Sequence, residues 1–94
     1  MLPASAYAEV LVGPSQRGAA AMTTVDEFLA SAAIRIEPLT REIARHAATL
    51  RARHRALRLP DALVIATGET LEALVLTADR AWLGVSRRAR LIAE

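Results

Sequence analysis

Residues 59–82 read LPDALVIATGETLEALVLTADRAW. The first half predicts a helix that opens at Pro60-Asp61 and covers residues 62–72, because proline is favoured in a first helical turn and apolar residues then recur at helical spacing. The continuous apolar run at residues 73–77 predicts a strand that is buried on both faces, as in parallel sheets. A helix followed directly by such a strand indicates an α/β fold.

Two further helices and a strand are predicted before this stretch. The first helix begins at Ser5 as its N-cap and stops at Gly13-Pro14. The second helix covers residues 19–32, where apolar residues form one stripe. Residues 34–38 alternate apolar and charged side chains, which is the pattern of a strand with one buried face.

A third helix is predicted from Thr40, which can cap it, to about His54. Its expected buried residues are Ile43, Ala44, Ala47 and Leu50. His46 and His54 are interpreted as surface residues rather than ligands, and Trp82 as a core residue that covers the sheet edge. A last strand is predicted at residues 91–93.

Helices that alternate with strands predict an α/β sandwich with a mainly parallel sheet, because parallel neighbours need crossover connections. The helix from residue 61 and the strand that follows it have nearly equal lengths, about 18 Å and about 16 Å. Asp79 should therefore return beside Asp61 at the carboxyl edge of the sheet, where open α/β folds bind ligands. Glu9 lies early in its own helix and is expected at the same edge.

The composition fits one small domain over residues 1–94, with 53% hydrophobic residues. The chain has no cysteine, which excludes disulfides, thiolate metal sites and cysteine nucleophiles. Its longest stretches without a charged residue are residues 1–8 and 18–25, far shorter than the roughly 18–20 residues of a membrane span. The start lacks the pattern of a secretory signal, so a cytoplasmic location is expected.

The 12 basic residues are all arginine. Seven of them form two clusters, residues 51–58 and 87–90, and guanidinium groups can pair bidentately with phosphate. A solvated helix face and tail is the simpler interpretation of these clusters. A small regulator that binds the DNA backbone is a further alternative, although the sequence has no helix-turn-helix pattern and the arginines do not line one recognition helix.

The three carboxylates suggest a metal site. Clustered carboxylates repel one another unless a cation neutralises them, and oxygen ligands favour Mg²⁺ or Mn²⁺. Such an ion can activate water and stabilise charge on a phosphoryl oxygen, which fits phosphodiester hydrolysis. Each residue also has a structural interpretation: Asp61 as a helix N-cap, Asp79 as a cap of the turn after the strand, and Glu9 as a solvent-facing residue.

A family resemblance rests on three segments, LPDALVIAT at 59–67, LVLTADRAW at 74–82 and SAYAEVL at 5–11. The order of these segments, the spacing between them and their placement on helices or strands resemble the PIN-domain ribonucleases of the VapC toxin type, which belong to type II toxin–antitoxin pairs. The resemblance extends across nearly the whole chain. The resemblance implies a PIN-like three-layer sandwich with a mainly parallel sheet, truncated at its amino terminus.

The resemblance also implies roles for single residues. Glu9, Asp61 and Asp79 would be three of the family's four acidic metal ligands, and Thr77 the polar residue beside the last aspartate. The implied activity is that of an endoribonuclease toxin that hydrolyses RNA with water activated by Mg²⁺ (or Mn²⁺). Implied partners are the RNA substrate, a cognate antitoxin that covers the site, and a second copy in a homodimer, with no membrane.

One departure from the family concerns the amino terminus. The family begins with an apolar strand that ends in the aspartate supplying the first metal ligand, and nothing precedes Met1 here. Leu2-Pro3 is interpreted as the stub of the family's second strand, and we expect the true start to lie upstream. The alternative is a catalytically inactive remnant that only binds an antitoxin or dimerises through the helices at residues 19–32 and 40–54.

Overall fold

The computed structural model describes residues 1–92, which form four α-helices, four short strands and one 3₁₀ helix. In chain order they are β1 (Leu2–Pro3), α1 (Ala4–Arg17), α2 (Ala19–Ser31), β2 (Ile36–Glu37), α3 (Arg41–Arg53), α4 (Leu59–Thr70), β3 (Val75–Thr77), the 3₁₀ helix (Arg80–Gly84) and β4 (Ala89–Leu91). These elements divide between two compact units, of which the first is Met1–Pro38 and the second begins at Leu39.

The first unit consists of a pair of helices and a pair of two-residue strands. β1 pairs in parallel with β2, so the predicted stub at Leu2-Pro3 is a strand. The hydroxyl of Tyr7 on α1 donates a hydrogen bond to the carboxylate of Asp26 on α2. This bond, helped by desolvation and by the charge of Asp26, raises the pKa of Tyr7 because all three favour the protonated phenol.

The predicted stop of the first helix at Gly13-Pro14 is wrong, because α1 continues to Arg17. Pro14 has no amide hydrogen and so cannot bond the carbonyl of Val10. Val10 lies on an exposed part of α1, and the helix continues without this one bond. The helix ends instead at Gly18, whose φ of 113° lies in a region that residues with a side chain rarely adopt.

Two other predictions for this unit are corrected. Ser5 lies inside α1 rather than at its N-cap, which is Pro3 and makes no side-chain cap bond. The strand predicted at residues 34–38 is reduced to β2, where Ile36 is 37% exposed. The alternating pattern indicated the strand correctly, but this two-residue strand pairs only with the equally short β1 in the described chain, which leaves its apolar side chain uncovered.

The core of the second unit lies between α3 and α4. α3 begins as predicted, because the side chain of Thr40 accepts a hydrogen bond of 3.1 Å from the amide of Ile43. Ala44, which was predicted to be buried, is however exposed. The buried apolar residues that form the core are Ile43, Ala47, Leu50, Leu57, Ala62, Ile65, Ala66 and Val75.

Gly68 allows α4 to approach β3 closely. A Cβ atom at this position would overlap Cγ2 of Val75 and stand 3.2 Å from the carbonyl oxygen of Ala73. The chain reverses at Glu72, which adopts a positive φ of 55°, and the amide of Ala73 then donates to the carbonyl of Gly68 at 2.8 Å. This arrangement closes the helix end and sends the strand back along the helix.

β3 pairs in parallel with β4, and Val75 lies opposite Ala89. The prediction that residues 73–77 are buried on both faces is wrong, because Leu74 and Leu76 are 58% and 66% exposed. Side chains alternate along a strand, and α4 covers only the face that carries Val75. The last predicted strand is found at residues 89–91, and Ala93 lies outside the described residues.

The observed architecture confirms an α/β fold with parallel strand pairing. Within residues 1–92 the strands form two separate pairs instead of one continuous sheet. No helix in the same range is long and apolar enough to cross a membrane.

Replacing Gly68 with alanine should lower the free energy of unfolding by about 1–3 kcal/mol, because overpacking outweighs the better helix propensity of alanine. Urea denaturation measures this change. The second substitution Val75→Ala removes the obstructing methyl groups, so the double variant should lose less than the sum of the two single losses. Additive losses would contradict the close approach of α4 to β3.

Candidate functional site

A cavity of about 290 Å³ opens in the second unit, where the loop after α3, the start of α4 and the segment after β3 meet. Its lining combines two carboxylates, an imidazole, a guanidinium and apolar side chains. The residues are His54, Arg55, Ala56, Leu57, Asp61, Asp79, Ala81, Trp82 and Val85.

Asp61 lies in the first turn of α4, where the positive end of the helix dipole favours a carboxylate. The N-cap of this helix is Arg58, so the interpretation of Asp61 as the N-cap is wrong. Arg58 Nε and Nη2 each lie 3.5 Å from one carboxylate oxygen of Asp61. The guanidinium is 75% exposed and the contact is long, so this ion pair contributes little to stability.

Asp79 follows β3 and is the N-cap of the 3₁₀ helix. Its Oδ1 accepts a hydrogen bond of 2.9 Å from the amide of Ala81, so the interpretation of Asp79 as a cap is correct. Its own amide donates to the hydroxyl oxygen of Thr77 at 3.0 Å. Thr77 is buried and does not line the cavity, so its hydroxyl fixes the backbone that carries Asp79.

The structure brings Asp61 and Asp79 to one cavity, although eighteen positions of sequence separate them. Glu9 is exposed on α1 in the first unit. Among residues 1–92, no three side chains of histidine, cysteine, aspartate or glutamate form a group that could hold a metal ion. The roles assigned to Glu9, Asp61, Asp79 and Thr77 therefore stay predictions.

Two cavity residues were missed from the sequence. His54 was interpreted as a surface residue, but it is the half-buried C-cap of α3 and lines the cavity. Arg55 follows it and was treated only as a member of an arginine cluster. Both residues and Asp61 flank one short loop between two helices, and this proximity was the signal that could have placed them together.

The donor set of the cavity suits a hard divalent cation. Mg²⁺ is commonly held in proteins by one or two carboxylates, while water and substrate phosphate complete its coordination. Asp79 uses Oδ1 for the cap, which leaves Oδ2 without a hydrogen bond to the described residues. The two aspartates therefore supply the ligand type that such an ion prefers, and the cavity supplies no thiolate.

The sequence profile of the PIN domain matches residues 1–88. The chain belongs to the PIN-domain family. Comparison with curated proteins and with solved structures finds no match. PIN domains are in general metal-dependent nucleases, which are hydrolases.

A second polar cluster in the PIN domain centres on Glu69. Oε1 of Glu69 lies 2.6 Å from Nε2 of His46 on α3, and its Oε2 accepts a hydrogen bond of 2.5 Å from the hydroxyl of Ser86. Partial burial acts to raise the pKa of Glu69. The bonds from Ser86 and His46, with the charges of His46 and Arg88, outweigh it and hold the pKa below 4.5.

The lowered pKa of Glu69 makes a prediction about stability and pH. The ionised carboxylate stabilises the folded state above its unfolded pKa, and this contribution disappears as the pH falls through the folded pKa. Glu69→Gln should therefore lower the free energy of unfolding by about 1 kcal/mol near pH 7. The difference from the unchanged protein should shrink below pH 4.5.

Urea denaturation at a series of pH values measures both differences. Glu72→Gln is the matched control, because Glu72 is 83% exposed and its nearest partner, Arg88, is 3.8 Å away. If Glu69→Gln lowers the free energy of unfolding by the same amount from pH 7 to below pH 4.5, ionisation of the Glu69 carboxylate does not stabilise the folded state.

Proposed function

We propose that this PIN domain is a VapC-type toxin, an endoribonuclease that depends on Mg²⁺ or Mn²⁺ and hydrolyses RNA phosphodiester bonds. The observation that carries this proposal is the shared cavity of Asp61 and Asp79. In the same proposal residues 1–94 are one domain with the three-layer sandwich of the family, and Glu9 is a further ligand.

The proposal gives each site residue a task. Asp61 lies in the first turn of α4. Asp79 is oriented by the hydrogen bond that its carboxylate accepts from Ala81 and by the bond that its amide donates to the Thr77 hydroxyl. The bond to Ala81 fixes the Asp79 carboxylate before a cation binds, and α4 fixes the backbone of Asp61, which lowers the cost of ordering the site. The bound ion would supply activation of water and stabilisation of charge on the phosphoryl oxygens.

The surroundings of the two aspartates favour an anionic substrate. Arg55 lines the same cavity and can donate to a phosphate oxygen, and His54 adds a neutral or cationic donor. Leu57, Trp82 and Val85 supply apolar walls beside these charged groups. A phosphodiester fits this combination of charges better than a neutral substrate does.

Partners and location complete the proposal. We place the toxin in the cytoplasm as a homodimer that a cognate antitoxin inhibits by covering the site. Exposed apolar side chains on the first helix pair support a protein interface, because Val12 and Phe28 are 57% and 64% exposed.

The exposed helices favour one second candidate function. The chain would then be an inactive PIN module that only binds an antitoxin or dimerises, and α1 and α2 contain no buried residue that would argue against this role. This candidate needs no metal ion at the aspartates.

Asp61→Asn and Asp79→Asn should each reduce RNA cleavage by about 100-fold or more, because each removes a negative charge that binds the cation, worth several kcal/mol in the transition state. Cleavage of a fluorescent single-stranded RNA, with Mg²⁺ and with a chelator, measures the loss. Glu72→Gln is the control and should keep full activity. Metal-dependent cleavage that survives both aspartate substitutions would exclude this site.

Calorimetry separates the two candidate functions. A nuclease should bind Mn²⁺ saturably, and the double variant Asp61→Asn/Asp79→Asn should lose this binding because two amides cannot replace the charge of two carboxylates. The thermal unfolding midpoint of the double variant shows whether the fold persists. Absence of saturable binding to the unchanged protein would favour the inactive module.

A further inference from the structure

A groove lies next to the cavity of Asp61 and Asp79, the acidic cavity. It has a volume of about 590 Å³ and is lined by Ala48, Arg51, Ala52, Arg55 and Leu59. Arg55 belongs to both linings, so the groove and the acidic cavity meet at this guanidinium. No acidic residue lines the groove, in contrast to the cavity beside it.

Three of the groove residues share one face of α3, since Ala48, Arg51 and Ala52 follow the spacing of neighbours on a helix surface. Arg55 lies two residues beyond the end of this helix, in the turn that follows it. Ala48 and Ala52 have the smallest side chains that a helix face can offer, so they form a recess between the two arginines. An extended chain can therefore lie against α3 without displacing a large side chain.

The two arginines are available for an anionic ligand. The ion pairs within residues 1–92 use Arg35, Arg58, Arg88 and His46 as their cations. Arg51 and Arg55 are exposed and form no ion pair in that range. Guanidinium groups pair bidentately with phosphate, and two of them along one recess match the repeated charges of a nucleic-acid backbone.

From these observations, and resting on the proposed function, we infer that Arg51 and Arg55 form a phosphate-binding groove for the RNA backbone next to the bond that is cut. Arg55 contacts the phosphate nearest the aspartates, and Arg51 contacts a phosphate further along the strand. Leu59, which is 52% exposed at the groove wall, contacts a ribose or a base edge. The contacts go to the backbone, so the groove orients the substrate without selecting its sequence.

Salt dependence of RNA binding tests this inference. Each phosphate contact on a single strand contributes about 0.7 to the slope of log K against log salt, so Arg51→Gln/Arg55→Gln should lower the slope by about 1.4. Fluorescence anisotropy with labelled single-stranded RNA in a chelator measures the slope without cleavage. The loss should be the same for RNAs of different sequence, and Arg51→Gln alone should lower the slope by about 0.7.

Arg45→Gln is the matched control, because Arg45 is exposed on the same helix but does not line the groove. The slope of log K against log salt should fall less in this variant than in the groove variants. A slope that falls equally with Arg45→Gln, or that does not change in the double arginine variant, would overturn the groove.

The chelator makes the groove and the nuclease proposal separable. RNA binding with the expected slope in a protein that never cleaves would refute the nuclease and retain the groove. Cleavage that depends on Asp61 and Asp79, together with a salt slope that does not change in the Arg51 and Arg55 variants, would support the nuclease and refute the groove.

Discussion

The contact between α4 and β3 at Gly68 is the constraint on which the second unit depends. A glycine there lets Val75 pack directly against the helix, and Glu72 closes the turn between the two elements with a positive φ. β3 then runs back along α4, and the residues that follow this short strand carry the chain to the start of the helix. This return places Asp79 at the same cavity as Asp61.

The structural roles of the two aspartates are compatible with the cation binding that we propose for them. Asp79 caps the 3₁₀ helix with Oδ1, and a carboxylate has a second oxygen that such a cap does not use. Asp61 benefits from the dipole of α4 and faces only a long contact to Arg58. Capping therefore leaves one oxygen of Asp79 for the proposed cation. The local structure stabilises a carboxylate at both positions.

Local chemistry made much of the second unit predictable. The N-cap at Thr40 and most of the apolar face of α3 were read directly from residue types. Asp79 and Asp61 share a cavity as predicted, although β3 has only three residues and is shorter than the strand on which that prediction rested. The wrong predictions concern the surroundings of a helix or strand, which its own sequence does not show. Whether Leu76 is covered depends on the neighbouring layers, and α1 continues past Pro14 although it loses one backbone hydrogen bond there. His54 and Arg55 were missed because their cavity forms only when a loop and a strand end meet.

Diffraction from crystals grown with Mn²⁺ would show whether Asp61 and Asp79 hold one cation together, since an anomalous difference map locates the ion without any assay of activity. We expect one Mn²⁺ peak within coordination distance of carboxylate oxygens of both residues, at roughly 2.0–2.6 Å. A map with well-ordered aspartates and no peak between them, or with their carboxylates directed to different cavities, would contradict it.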